Sequence, residues 1–389
     1  MRSKDITGIL KIISRSYGFL WTFLHLLGID VHDVGRNETF FSIKGFTNKV
    51  FKILFPSLMY LTQIYVISHG ILYAVIYGAD YKILLCFTSI NLLSLALWHN
   101  LHRKKVFLRD FIVKCERLQF SFQRSLTSIN IVINLCLGLI VLITTVTAIS
   151  SIFNIKQASL ELKAYYSFFM LVDREDIVGM LVKSILIVIQ YVCMFIPPAI
   201  AALLSGAIYF KTSDLLLKLR ENLESIKMNV LYHNEISKLS VNYNFLYLLV
   251  HEVEKEFSLT VFLLLCSHWF NLNTVLLSYI LYAGDFLSYS LACHIIAQLI
   301  FAVTLNIGVI LCASRISYQV FRVQTTLQVV HNKVGTVEPK TLQIVKNMLD
   351  IKFPEMTAYG IVKLNPSLIV SSFGSVLTYG LLVINVNRP

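Results

Sequence analysis

Seven long stretches of this chain contain no Asp, Glu, Lys or Arg, and they constrain its fold more than any other feature. They cover residues 53–79, 83–102, 125–155, 184–210, 257–284, 286–314 and 364–387, and each has at least 20 residues. A helix of roughly 20 apolar residues crosses a bilayer while satisfying its own backbone hydrogen bonds. The pattern therefore predicts an all-α, polytopic membrane protein with seven transmembrane helices.

The composition agrees with this prediction. Hydrophobic residues make up 56% of the chain and charged residues 14%, whereas a soluble domain has about 25% charged residues. A net charge of +12 could indicate nucleic-acid binding. The basic residues, however, lie in short loops between apolar stretches, so the expected partner is the lipid bilayer and not nucleic acid.

The distribution of Lys and Arg predicts the orientation of the chain. Of the 34 basic residues, 28 lie in the N-terminal segment and in alternate loops, and 6 lie on the other side. Because basic loops remain cytoplasmic, we expect a cytoplasmic N-terminus and an extracellular C-terminus in the plasma membrane. This topology is opposite to that of G-protein-coupled receptors, so no G protein is expected as a partner.

The predicted spans lack the groups that pumps and enzymes use. None contains an ionisable Asp, Glu, Lys or Arg, which disfavours coupled transport and enzyme activity. No phosphate-binding loop, dinucleotide fingerprint or zinc-ligand cysteine spacing occurs, so we expect no cofactor and no metal. His251-Glu252 lacks the second histidine of a metalloprotease, and His99 and His102 are more typical of interfacial anchoring than of a metal site.

Several local features carry further expectations. Residues 16–29 form an apolar run too short to span, which predicts an amphipathic helix at the inner membrane surface. Pro56 is expected in the first turn of its helix, and Pro197-Pro198 should kink the fourth span. Apolar residues recur at helical spacing between the fourth and fifth spans and again from Pro339 to Pro354. These stripes indicate inner helical extensions that either join subunits or pack within one subunit.

The last stretch, residues 364–387, is apolar but carries a stripe of hydroxyl groups. Ser371, Ser375 and Thr378 stand at i, i+4 and i+7 on one side of a helix, with Ser372 and Asn385 near that stripe. A polar stripe on a membrane helix either bonds to neighbouring helices or lines water. Both interpretations are open on the pattern alone.

Polar and aromatic residues also gather in the outward halves of the middle spans. A few polar groups among aromatic side chains are typical of a small-molecule pocket, although Tyr also collects at membrane interfaces. The candidate pocket residues are Gln190, Tyr191, Tyr279, Tyr282, Tyr289, His294 and Gln298. The apolar outward loop 164–172 could cover such a pocket as a lid.

The segment Thr378-Tyr379 to Val386 resembles the signature of arthropod gustatory receptors. That signature is Thr-Tyr, five hydrophobic residues and then Gln-Phe, close to the C-terminus. Thr378, Tyr379 and the spacing match, whereas Asn385 replaces Gln and Val386 replaces Phe. The seven spans, the predicted topology and the chain length extend the resemblance over the whole sequence. Insect odorant receptors share this architecture and are the nearest alternative.

The resemblance implies a ligand-gated cation channel of four identical or different subunits, opened by a small-molecule tastant. It implies that Ser371, Ser375, Thr378, Leu382 and Asn385 line the pore, with Leu382 or a neighbour as the gate. Residues 1–52 would form a cytoplasmic N-terminal segment with an interfacial helix, and 53–314 a six-helix ligand-binding bundle. Residues 315–363 would form a cytoplasmic anchor, and 364–389 the pore-lining helix.

Overall fold

The computed structural model describes residues 20, 23–25, 27–29, 43–77, 81–121, 130–154, 177–225, 232–282, 289–334 and 339–386, which are nearly all helical as predicted. The helices are α1 (Ile43–Tyr77), α2 (Tyr81–Arg103), α3 (Lys105–Ser121), α4 (Asn130–Asn154), α5 (Ile177–Glu224), α6 (Tyr232–Tyr282), α7 (Tyr289–Val334), α8 (Pro339–Asp350) and α9 (Pro366–Val386). Strands β1 (Thr357–Ala358) and β2 (Val362–Lys363) form an antiparallel hairpin immediately before α9.

Over their described residues, six of the seven predicted spans are entirely helical, and the last is helical from Pro366 onward. Four of these segments are long and apolar enough to cross a membrane by length and composition, namely Ile131–Phe153, Ile177–Glu224, His233–Leu276 and Ile295–Lys333. The other three predicted spans lie in α1, α2 and α9, which have 35, 23 and 21 residues. Each of these helices is long enough for the roughly 20 residues that a spanning helix needs.

Helices α5, α6 and α7 are much longer than a bilayer is thick. They contain 48, 51 and 46 residues, which correspond to about 70–77 Å at 1.5 Å per residue. The hydrocarbon core is about 30 Å thick, so these helices continue beyond it. Their extensions lie at the end of the bundle that carries the basic loops, called the basic end below; the opposite end is the far end.

The apolar stripes of these extensions pack within the chain. Leu219 of α5, Leu246 of α6, Val323 of α7 and Met348 of α8 are all buried in one large cluster. The helices predicted between the fourth and fifth spans and after Pro339 are therefore confirmed. Burial of their apolar faces supplies the driving force that gathers them into one bundle at the basic end.

Helix α3, between the second and third spans, was not anticipated. Its buried residues Leu108, Phe111, Cys115 and Leu118 recur at intervals of three or four, which is a helical signal. Two ion pairs link this region to α6. Lys104 Nζ lies 2.9 Å from Glu256 Oε2, and Lys114 Nζ lies 2.7 Å from Glu252 Oε1. The carboxylate of the His251-Glu252 pair therefore binds a lysine.

One local expectation needs correction. Pro56 does not lie in a first turn, because α1 begins at Ile43 and the proline lies in its interior. In the described part of the run 16–29, Leu24 and Leu27 belong to the main core, and Trp98 Nε1 donates to the Leu27 carbonyl oxygen at 3.0 Å. The position of this run at the inner membrane surface stays a prediction. The proline pair that was expected to kink the fourth span, Pro197-Pro198, lies inside α5, which is one helix from Ile177 to Glu224.

Candidate functional site

The last helix, α9, carries a row of hydroxyl groups that the described part of the chain leaves uncovered. Ser371, Ser375 and Thr378 are all exposed, and their spacing places them on one side of the helix. Ser372 was expected near this row, but it is half-buried and lies about 100° from Ser371 on the helix, on the packed face. The exposed row is therefore Ser371, Ser375 and Thr378.

Each hydroxyl in the row is bonded within α9 itself. Ser371, Ser375 and Thr378 donate to the carbonyl oxygen four residues earlier, at 3.0, 2.9 and 2.8 Å. None of these three bonds links α9 to another helix of the chain. A hydroxyl oxygen also has lone pairs, which can accept a hydrogen bond from water or contact a cation.

Helix α9 is held by one face only. It packs chiefly against α6 and α7, and none of residues 366–378 is buried. Beside the hydroxyl row, Val370 is 75% exposed and Leu377 is 66% exposed. The uncovered face of α9 therefore has an apolar edge, which suits contact with lipid or another apolar helix, and a hydroxyl edge, which suits contact with water or polar groups.

The remaining residues of the motif lie further along α9. The helix includes Tyr379, Leu382, Asn385 and Val386, but their side chains lie outside the part of the chain that the structure describes. The start of the helix is well defined. Asn365 Oδ1 accepts the Leu368 N–H at 3.2 Å, as an N-terminal cap does, and Pro366 occupies the first turn.

The hairpin that leads into α9 was missed in the sequence. Its turn has two residues with positive φ, Tyr359 (55°) and Gly360 (69°), and the Ile361 N–H donates to the Ala358 carbonyl oxygen at 3.1 Å. Two-residue strands have no periodicity to detect. The Tyr-Gly pair was the available signal, because glycine readily adopts positive φ.

At the far end, a second cluster of buried residues joins α2, α4, α5 and α7. Its aromatic members stack in series: the Tyr191 and Phe195 ring centroids lie 5.8 Å apart, and those of Phe195 and Phe301 lie 5.1 Å apart. The Tyr191 hydroxyl lies 2.8 Å from Ser151 Oγ of α4. Aromatic walls with a few hydroxyl groups can enclose a small, partly apolar molecule.

The predicted pocket residues that the structure describes belong to this region. Gln190 and Tyr191 are each 5% exposed on α5, and Gln298 is 1% exposed on α7, next to Ala297 of the same cluster. Neither amide atom of Gln298 has a hydrogen-bond partner among the described residues. A buried amide without a partner is energetically costly, so this group is available to bond a ligand or a water molecule.

The other candidate pocket residues, Tyr279, Tyr282, Tyr289 and His294, have side chains outside the described part of the chain, and the expected lid loop 164–172 also lies outside it. The same holds for three acidic residues that follow this loop on the predicted outer side, Asp173, Glu175 and Asp176. His99 Nδ1 lies 3.4 Å from the Tyr60 hydroxyl, and the His102 ring contacts Trp98. Within the described ranges, no group of His, Cys, Asp and Glu side chains could hold a metal ion.

Comparison with solved structures reveals the fold. The chain resembles the insect olfactory receptor OR5 from Machilis hrabei, with a TM-score of 0.62 and 15% sequence identity over 98% of this chain and 100% of that one. The same receptor in complex with eugenol matches with a TM-score of 0.62 and 14% identity over the same shares. No protein-family model and no curated protein matches the sequence.

The chain therefore has the fold of this olfactory receptor structure, and it is a multi-pass membrane protein. The predicted fold class is confirmed in its helical, membrane-spanning character.

Proposed function

We propose that this chain is a subunit of a chemosensory receptor of gustatory type, a cation channel in the plasma membrane that a small molecule opens. The observation that carries this proposal is the uncovered hydroxyl row of α9. A membrane helix that packed only to stabilise its own subunit would bury its polar face against neighbouring helices. Ser371, Ser375 and Thr378 instead face away from the chain, as residues lining a shared aqueous pore would.

Assembly of several subunits would cover this face. The resemblance to gustatory receptors implies a homo- or heterotetramer joined by a cytoplasmic anchor. At the basic end, Tyr318 and Phe321 of α7 are 52% and 65% exposed. Beside them lies a groove of about 560 Å³ between α7 and the segment that contains Phe353. Exposed aromatic residues next to a groove suit contact with a neighbouring subunit.

The far-end cluster is the proposed ligand site. Tyr191, Phe195 and Phe301 would supply apolar contact, and Gln298 and Ser151 would supply hydrogen bonds. Eugenol, which is bound in one matched structure, is a small aromatic molecule with a hydroxyl group. A ligand of that size and mixed polarity fits the chemistry of these side chains, so we propose a small aromatic or similarly amphipathic tastant.

The free energy required for gating is within reach of such a site. Moving a channel from 1% to 99% open needs about 5.5 kcal/mol of differential binding. Shared over four subunits, this is about 1.4 kcal/mol per site, which one hydrogen bond and modest apolar burial can provide.

Cation preference would arise from uncharged groups. The described part of α9 contains no acidic residue, so hydroxyl oxygens and backbone carbonyls would contact the permeant cation. Asp173, Glu175 and Asp176, on the predicted outer side, would raise the local cation concentration at the entrance.

An odorant-receptor subunit is the second candidate, and the matched olfactory receptor structures favour it. The Thr378-Tyr379 motif favours the gustatory type. The two differ in their ligands, so a panel of sugars, bitter compounds and volatile odorants separates them. A non-conducting membrane protein of the same fold is the third alternative, and it predicts no response to any compound.

The test is to record currents from cells that express this chain alone while the panel is applied. We expect a cation current, and we expect Leu382→Ala and Asn385→Ala to alter its amplitude or reversal potential, because both residues lie on the predicted pore helix. A chain that reaches the cell surface, alone and with candidate partner subunits, yet conducts nothing would contradict the proposal.

A further inference from the structure

The β1–β2 hairpin is the only stretch between α8 and the last helix that has regular structure within residues 339–386. Each strand has two residues, and a hairpin of this size has little stability of its own. It is nevertheless firmly placed, because Met356, Ala358 and Leu364 are 2%, 0% and 2% exposed. Contacts with the rest of the chain must therefore hold it.

Helix α6 makes these contacts with one face. The Thr357 N–H lies 3.1 Å from both carboxylate oxygens of Glu254, and the Thr357 hydroxyl also donates to Glu254. The Tyr359 N–H donates to the Ser258 carbonyl oxygen at 3.2 Å. The Tyr359 ring lies 5.7 Å from the Phe262 ring. Glu254, Ser258 and Phe262 are spaced by four residues, so they share one face of α6. These contacts are called the clasp below.

The clasp contrasts with the weak attachment of α9 itself. Residues 354–364 include three buried side chains, whereas residues 366–378 include none. The basic end of α9 is therefore fixed to α6, and the remainder of the described helix touches the chain on one face only. A displacement of α6 at the clasp would reach the start of α9 directly.

The same helix also reaches the far-end cluster. Phe270 of α6 packs against the cluster that contains Tyr191, Phe195 and Phe301. Glu254 and Phe270 are 16 residues apart on one uninterrupted helix, which corresponds to about 24 Å. One rigid helix thus contacts both the proposed ligand site and the root of the proposed pore helix.

We propose that Glu254 is a positioning residue, which fixes the root of α9 on α6 through Thr357 and thereby makes the last helix follow α6. The link from this clasp to the opening of a pore rests on the function proposed above. Glu254 is not proposed to line the pore or to contact a permeant ion. It affects α9 through its hydrogen bonds to the hairpin.

The first experiment measures hydrogen exchange of residues 354–368 in the purified full-length chain. Thr357→Val removes the hydroxyl donor with little change in shape, and Thr357→Ser retains it. A hydrogen bond to a carboxylate is stronger than one between neutral groups, so exchange should be about tenfold faster or more in Thr357→Val and in Glu254→Gln. Thr357→Ser should restore slow exchange. Thr325→Val is the matched control, because the Thr325 hydroxyl donates within α7, to the Phe321 carbonyl oxygen, at 3.0 Å.

The second experiment measures basal current in a bath without added ligand, at equal surface expression. We expect Thr357→Val and Glu254→Gln to change basal current several-fold, whereas Thr357→Ser and Thr325→Val retain the parent value. A purely structural role would instead lower the amount of folded protein at the surface and leave the current per subunit unchanged.

The outcomes separate the two proposals. Unchanged exchange in both Thr357→Val and Glu254→Gln overturns the positioning role of Glu254, whatever the currents are. Faster exchange with unchanged basal current in a conducting parent overturns the link from the clasp to the pore. A parent chain that conducts nothing contradicts the proposed function, and the exchange rates alone then decide whether Glu254 positions the helix.

Discussion

Glu116 on α3 shows how partial burial at the basic end affects a single carboxyl group. Burial raises the pKa of Glu116 from 4.5 to about 7, and the nearby Lys211 opposes this rise in part. The folded chain therefore binds a proton at this site more tightly than the unfolded chain does. By linkage, the stabilising contribution of the protonated carboxyl is complete below about pH 4.5 and is lost as the pH rises through about 7.

Glu116→Gln should remove this dependence. The neutral amide avoids the cost of burying a charge, so the variant should unfold at a higher temperature than the parent at pH 8, by roughly 1–2 °C. At pH 5 the difference should be smaller. Thermal unfolding in detergent measures the unfolding temperatures of the variant and the parent at both pH values. An equal difference between the two proteins at pH 5 and pH 8 would contradict the raised pKa of Glu116.

Gln298 on α7 links stability to ligand recognition. Its buried amide has no hydrogen-bond partner among the described residues, so Gln298→Leu should stabilise the ligand-free chain by about 1 kcal/mol. The same change should raise the concentration of agonist needed for half-maximal current. Gln319→Leu is the matched control, because Gln319 is buried on the same helix at the basic end. An unchanged half-maximal concentration in Gln298→Leu would exclude this residue from the ligand site.

Among the structural elements, the hairpin and α9 each contain a glycine, and the two glycines differ in whether their backbone conformation tolerates a side chain. Gly360 has a φ of 69°, where an L side chain is strained, and Gly374 lies in α9, where an added Cβ would meet nothing within 4 Å. Gly360→Ala should therefore destabilise the chain by about 1 kcal/mol. Gly374→Ala should be neutral or stabilising by about 0.5–1 kcal/mol, because alanine favours helix. Thermal unfolding of both variants measures these effects. A Gly360→Ala variant that unfolds at a higher temperature than Gly374→Ala would contradict the turn geometry.

The sequence predicts some of these elements well because their signals are long. Uncharged stretches of 20 or more residues locate the seven spans, and apolar residues at helical spacing locate the extensions of α5 and α6. Short elements lack such signals. Helix α3 has only four buried residues in the part of its stripe whose burial is described, 105–118, and the hairpin depends on contacts with Glu254, more than 100 residues away in the chain. The start of α1 at Ile43 could not be predicted either, because polar residues before Pro56 interrupt the apolar stretch that marks the span.

The candidate sites likewise include residues that the sequence predicts and residues that only the packing reveals. The hydroxyl row of α9 follows from spacing alone, and Gln190, Tyr191 and Gln298 were found by their polarity within apolar spans. The half-burial of Ser372 could not be predicted, because the sequence does not reveal which face of α9 packs against α6 and α7. Phe195 and Phe301 were missed because phenylalanine is common throughout the chain, and only packing brings these two rings together.

For the molecule as a whole, orientation in the membrane determines which end meets the ligand. The positive-inside distribution predicts that a tag at the N-terminus is detected only after the cells are permeabilised and that a tag at the C-terminus is detected on intact cells. Asn37, in the sequon Asn37-Glu38-Thr39, should then carry no glycan. An N-terminal tag accessible on intact cells would reverse the topology and place the far-end cluster in the cytoplasmic half of the membrane.

The central claim is that the hydroxyl face of α9 lines a water-filled pore shared between subunits. Ser375 and Ser372 provide a matched pair on this helix, because both donate within the helix and only Ser375 is exposed. Each is replaced by cysteine, a membrane-impermeant thiol reagent is applied, and the rate of current loss is compared with that of the parent chain, which retains its native cysteines. Ser375→Cys channels should lose current at least about tenfold faster than Ser372→Cys channels, because only a water-exposed thiol reacts readily. Equal rates, or no loss of current in conducting Ser375→Cys channels, would contradict it.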